Sequence, residues 1–287
     1  MKLRYLTTLG MVIVLTAAFS ATVLDLYRAS VVDTYAGHVV FVPLFAAVML
    51  WADRVALRNA VAPGDYRGLV VMAAALGLLA LGRWHGSLVL QSLALAAAVA
   101  GACLVAGGRR LVTRAAFPIA FLALMAPPPR AVIEVITLHL QNFAAGFAVA
   151  VLRLIDVPVF RAGVMLELPN ARLEVAEICN GLRFLLALVV MTSAFSQITQ
   201  PSAVHKLILV AAAVPIAVFA NATRVAIIAL GAHWFGAEMA TGPVHHAIGK
   251  AVWVLTLAPL ALLTWWLPRW QIGAGYRRRT VPREEAA

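Results

Sequence analysis

A succession of apolar runs broken by arginines constrains this chain more than any other feature. The runs lie at about Tyr5–Leu24, His38–Trp51, Gly68–Gly82, Gly86–Gly107, Ala115–Ala126, Cys179–Ile198, Lys206–Ala229 and Gly249–Leu267. A helix needs about 20 apolar residues to cross bilayer hydrocarbon. Several runs reach that length, while the second, third and fifth are short and leave their ends open. A soluble domain carries about 25% charged residues, whereas this chain of 287 residues carries 12% and is 63% hydrophobic. A water-soluble globule of that composition has too few polar side chains to cover itself. The two cysteines, Cys103 and Cys179, make no disulfide framework, and no Cys/His spacing of the metal-binding kind occurs.

The net charge is +11, and its distribution explains it better than nucleic-acid binding does. No basic, aromatic-interleaved soluble segment exists. Lys2 and Arg4 precede the first run; Arg54, Arg58 and Arg67 follow the second; Arg109, Arg110 and Arg114 follow the fourth. Lys206 opens the seventh run, and Arg269, Arg277, Arg278, Arg279 and Arg283 follow the last. All fall on one side if both termini are cytoplasmic, as positive charge on cytoplasmic loops requires. Residues 131–154 are helical in pattern but contain Glu134, His139, Gln141 and Asn142. A span there would turn the arginine-rich tail outward, so they read as an interfacial or re-entrant helix after the Pro127-Pro128-Pro129 break. Residues 159–178 alternate with period two around Pro169-Asn170, the pattern of a small β-hairpin. The expected fold is an all-α polytopic membrane protein. It has about eight transmembrane helices, one interfacial helix and a small extracytoplasmic β-hairpin. It forms a single domain over 1–287 with a basic cytoplasmic tail from about 269.

Ionisable groups inside spans are costly and are functional suspects. Cys179 opens the sixth run. Arg224 lies 18 residues beyond Lys206, about 27 Å along a helix and so near the outer face. His245 precedes the final run. Topology thus brings three residues from different helices to one depth. A thiol has a pKa of about 8.5 and is a poor nucleophile when protonated, and a helix N-terminus favours its thiolate. Arg183, one turn on, shares that helix face. A histidine takes and returns the proton, and an arginine supplies donors to an oxyanion. Each residue also has a plain structural reading. Cys179 alone is small apolar filler, Arg224 snorkels or pairs with a carboxylate, His245 and His246 form an interfacial pair, and Asn221 is an interhelical polar contact.

At these positions the sequence resembles the exosortase/archaeosortase family of membrane-embedded cysteine transpeptidases. EICNGLRFLLAL, residues 177–188, looks like the family's Cys-Ser-Gly-Leu-Arg-Ser motif, with Cys179 as nucleophile and Asn180 where serine is common. PIAVFANATRVAIIAL, residues 215–230, resembles its Pro…Asn-x-x-Arg motif and places Arg224. HHAIGKAVW, residues 245–253, resembles His-x-x-x-Gly, with His245 and Gly249 in register and His246 as a neighbour. The segments DTYAGHVVFVPLFAAVMLWADR, FPIAFLALMAPPP and LHLQNFAAGFAVAVLRLIDVPVFRAG follow the family's upstream pattern.

The resemblance implies a multi-pass protein of the bacterial inner membrane with its active site facing the periplasm. The implied catalytic residues are Cys179, Arg224 and His245, supported by Arg183, Asn221, His246 and Asn180, with no metal or cofactor. The implied substrates are proteins with a carboxy-terminal sorting tail: a short motif such as Pro-Glu-Pro, a transmembrane helix and a basic cluster. Membrane lipid surrounds the site, and an acceptor amine or hydroxyl, a polysaccharide or lipid among the candidates, or water would resolve a thioester on Cys179. Two other classes remain open on the residues alone. One is a carrier or flippase for exopolysaccharide or lipid intermediates, in which Arg224 and His245 bind an anionic head group. The other is a noncatalytic subunit of an export assembly.

Overall fold

The computed structural model describes residues 2–33, 35–175, 181–240 and 242–269. Among these residues, ten α-helices and one small sheet follow in order. They are α1 (Lys2–Val32), α2 (Phe41–Ala52), α3 (Arg54–Asn59), α4 (Arg67–Trp84), α5 (Leu88–Arg114), α6 (Ala116–Phe121) and α7 (Arg130–Leu154). Then come β1 (Phe160–Ala162), β2 (Met165–Leu168), β3 (Ala171–Glu174), α8 (Leu182–Thr199), α9 (Ala203–Phe235) and α10 (Gly242–Trp266). Among the described residues, seven helical segments are long and apolar enough to cross a bilayer. The fold is all-α and polytopic, as the apolar runs demand.

The spans divide differently from the expected eight. α2 has 12 residues and α6 has 6, continued by a 3-10 turn over Leu122–Met125. At 1.5 Å per residue neither crosses about 30 Å of hydrocarbon alone. The two pack together instead, with Val42, Ala46 and Met49 buried in one cluster with Phe121 and Met125. Conversely, residues 131–154, expected as interfacial, form the 25-residue helix α7, which has the length and apolarity of a span. Of its polar residues, Asn142 has partners in the protein: its side-chain amide donates to the Leu138 carbonyl at 2.9 Å. Arg161 of β1 donates to the Asn142 backbone carbonyl at 3.0 Å and to its side-chain oxygen at 3.2 Å.

The expected hairpin is present and gains a third strand. β2 pairs antiparallel with β3, Leu166 opposite Leu173, and β1 pairs antiparallel with β2, Arg161 opposite Leu166. The alternation holds in space: Leu166, Leu168, Leu173 and Val175 are buried, whereas Arg172 and Glu174 are exposed. This apolar face packs on Ala144, Ala145 and Ala148 of α7 and on Ala222, Ala226 and Ala229 of α9 in one core cluster. Small side chains let the elements approach closely where no hydrophobic drive operates between lipid-bathed helices. The sheet thus braces the carboxy-terminal half of α9. Asn170 ties it there by donating to the His233 carbonyl at 3.1 Å.

Candidate functional site

α9 and α10 are antiparallel neighbours joined by a short 3-10 turn over Ala237–Ala240. Gly236 and Gly242 flank that turn at φ +89 and +72, a region that favours glycine. The reversal sets the first turn of α10 beside the later turns of α9. Arg224 on α9 and His245 on α10 meet there, with Nη2 of Arg224 2.7 Å from Nε2 of His245. A guanidinium has donors only, so Nε2 accepts and the ring proton sits on Nδ1. His245 is 8% exposed. Its neighbour His246 is exposed and stands edge to face with it at 5.7 Å between ring centroids.

Gly249 explains how the helices come close enough. It lies one turn after His245, on the same face. A Cβ there would stand 3.2 Å from the Cζ and Nη2 of Arg224 and 3.3 Å from its Nε. The guanidinium therefore lies against bare backbone. Its Nε is buried and has no acceptor among the described residues. An unmatched buried donor costs about 1–3 kcal/mol, more when charged, so the arrangement holds hydrogen-bonding capacity in reserve.

Asn221, one turn before Arg224 and 6% exposed, carries the site towards α8. Gly181 caps that helix in the left-handed region at φ +79. A Cβ on Gly181 would fall 2.7 Å from Cγ of Asn221, so only glycine meets both demands. Arg183 extends elsewhere: its exposed guanidinium lies beside Gly37, where a Cβ would be 3.8 Å from its Nε. Cys179 and Asn180 lie outside the described residues.

Sequence reasoning did not anticipate the space next to this pair. A mostly apolar cleft of about 430 Å³ runs between α9 and α10, lined by Phe219, Ala220, Thr223, Ile227, Val252 and Thr256 among others. Thr223 and Ile227 flank Arg224, and Val252 is three residues from Gly249. Pro215 and Pro259, one inside each helix, line its far end. Two prolines in the interiors of neighbouring apolar helices were the available signal, since each removes a backbone hydrogen bond and bends its helix.

Arg224, His245 and Gly249 sit at the positions where two of the quoted motifs place them. Residues 28–265, well over half of the chain, match the family model described as transmembrane exosortase (Exosortase_EpsH). No curated protein and no solved structure matches the chain. A matched region that runs from late α1 into α10 takes in the sheet, the arginine–histidine pair and the glycine beneath it, and the chain belongs to the transmembrane exosortase family.

Proposed function

We propose that this exosortase is a thiol protease or transpeptidase that removes the carboxy-terminal sorting tail of exported proteins. Cys179 is the nucleophile, Arg224 the oxyanion donor and His245 the proton carrier. The contact of 2.7 Å between Arg224 and His245, from separate helices, carries this reading. Supporting it, Asn221 packs on Gly181 one turn away. Two residues of chain span at most about 7 Å, so the sequence tethers Cys179 to the corner that Gly181 occupies. α8 begins at Leu182, and the partial positive charge of a helix N-terminus favours a thiolate just ahead of it. Asn180 and His246 are the supporting polar groups in this reading, whereas the Arg183 guanidinium lies beside Gly37.

The resting contact imposes an order of events. Nε2 cannot take the thiol proton while it accepts from Arg224. When a substrate carbonyl oxygen draws the guanidinium away, Nε2 is released and the oxyanion gains its donors in one movement. Sulfur then bonds to the carbonyl carbon as the C=O electron pair moves to oxygen. His245 passes the proton to the leaving nitrogen, the C–N bond breaks, and a thioester remains. An acceptor amine, hydroxyl or water gives its proton to His245, attacks the thioester and expels the thiolate. A polysaccharide or lipid hydroxyl is an acceptor of this kind. The substrate's transmembrane helix enters laterally from lipid along the cleft between α9 and α10. The arginine distribution supports a site at the periplasmic face of the bacterial inner membrane, with both termini cytoplasmic.

Replacement of Cys179 tests the proposal. Cys179→Ala and Cys179→Ser should each cut processing of a tailed substrate by a factor on the order of 10³ or more, with expression retained. Processing that survives Cys179→Ala would remove the thiol from the reaction and favour a carrier or a noncatalytic subunit.

A further inference from the structure

The arginines at the end of the bundle where α5 finishes fall into two chemical states. Arg114 is paired with Asp53, Nη2 to Oδ1 at 2.7 Å. Arg54 lies over the Trp51 ring at 4.8 Å and donates to the Trp51 carbonyl at 3.0 Å. For Arg67, Arg109 and Arg110, no hydrogen bond or ion pair engages the guanidinium among the described residues. These three line one concavity of about 510 Å³ together with Pro63, Gly64 and Tyr66. Asp65 lines it too, and its carboxylate is committed to the Arg67 backbone N–H at 2.9 Å. Three guanidinium groups therefore face one carboxylate.

The concavity is built on a fixed backbone. α5 breaks at Gly108, which has φ 70 and ψ −175. Residues 62–65 lie on that break. The Ala62 N–H donates to the Gly107 carbonyl at 2.9 Å and the Asp65 N–H to the Leu104 carbonyl at 3.0 Å. A Cβ on Gly64 would overlap the Val105 carbonyl, and one on Gly108 the Pro63 carbonyl. Backbone thus rests on backbone, and the loop holds Arg67 opposite Arg109 and Arg110.

Depth identifies the ligand. The 20 residues from Leu88 to Gly107 rise about 30 Å, the thickness of bilayer hydrocarbon, and the arginine pair follows at once. On α4, Leu69 and Val70, just past Arg67, are 57% and 68% exposed and offer an apolar wall to acyl chains. Tyr66, 77% exposed, suits the head-group level. Guanidinium groups bind phosphate oxygens in a planar fork. We propose that this concavity binds the phosphate of an anionic phospholipid head group through Arg67, Arg109 and Arg110. The site is separate from the arginine–histidine pair and does not depend on the proposed reaction.

The test is lipid titration of the full-length protein in a neutral detergent, followed by native mass spectrometry and thermal melting. The probes are phosphatidylglycerol, phosphatidylcholine and inorganic phosphate. The wild type should retain phosphatidylglycerol in preference to phosphatidylcholine. R109Q/R110Q should weaken that retention on the order of tenfold or more, since each arginine near a lipid surface contributes severalfold. R109K/R110K, which keeps the charge but loses the planar fork, should retain phosphatidylglycerol less well than wild type and better than R109Q/R110Q, and R54Q should match wild type. If R109Q/R110Q does not fold, R67Q on the other helix gives the same readout, and undiminished retention there overturns the proposal. Equal retention of phosphatidylcholine, or an equal loss in R54Q, also overturns it. A thermal shift reproduced by inorganic phosphate alone would make this a free-phosphate site and refute the lipid assignment.

Discussion

Gly249 has no side chain, yet it sets where the Arg224 guanidinium lies. A methyl group there would meet that group at 3.2 Å, so a few tenths of an ångström of displacement follow. Gly249→Ala should slow processing about tenfold or more, since small misplacements of a positioning group are costly in rate. The same change should leave the melting temperature unchanged or raise it, because alanine stabilises a helix interior by about 1 kcal/mol over glycine. Loss of activity with gain of stability distinguishes positioning from packing; unchanged activity would detach Gly249 from the site. At this scale the sequence was informative. A shared depth suggested that Arg224 and His245 meet, and the motif spacing supplied Gly249. The ring tautomer and the unmatched Nε of Arg224 were not legible, because both depend on an interhelical distance that spacing along one chain does not encode.

α9 and α10 enclose the cleft in which we place the substrate helix. Ala220→Trp would fill much of its wall. We expect a full tailed substrate to be processed at least tenfold more slowly, chiefly through KM, and a short soluble peptide carrying only the scissile motif to be little affected. Equal losses on both substrates would mean that the cleft does not seat the helix. Elements were unevenly readable. The hairpin was visible because Leu166, Leu168, Leu173 and Val175 alternate with polar residues at period two. β1, with three residues, is too short to show a period. α7 was read as interfacial because a span there would turn the arginine-rich tail outward and because the segment carries Glu134, His139, Gln141 and Asn142. The partner that satisfies Asn142, Arg161, stands 19 residues further on, beyond any local pattern. α2 and α6 were read as spans because apolar content was clear while helix length was not.

Over the whole molecule, charge and chain direction must agree. The ion pair between Asp53 and Arg114 brings the ends of α2 and α5 to one place, as the clustering of arginines on one side requires. Reporters fused at the amino and carboxy termini should therefore both register the cytoplasm. Seven full crossings, one for each long apolar helix, would place the termini on opposite sides. A shared cytoplasmic location therefore requires an even number, with α2 and α6 together completing one more crossing or one long helix not crossing. Opposite locations would contradict the arginine-based orientation. The proposed reaction depends on the thiol near Gly181 attacking a carbonyl that Arg224 and His245 hold and protonate. The most direct measurement is peptide mapping by mass spectrometry after a tailed substrate is quenched on the enzyme in acid. The predicted result is a substrate fragment on Cys179, released by hydroxylamine and missing from Cys179→Ala. An adduct on another residue, or full cleavage with no thiol-linked species in a rapid-quench series, would contradict it.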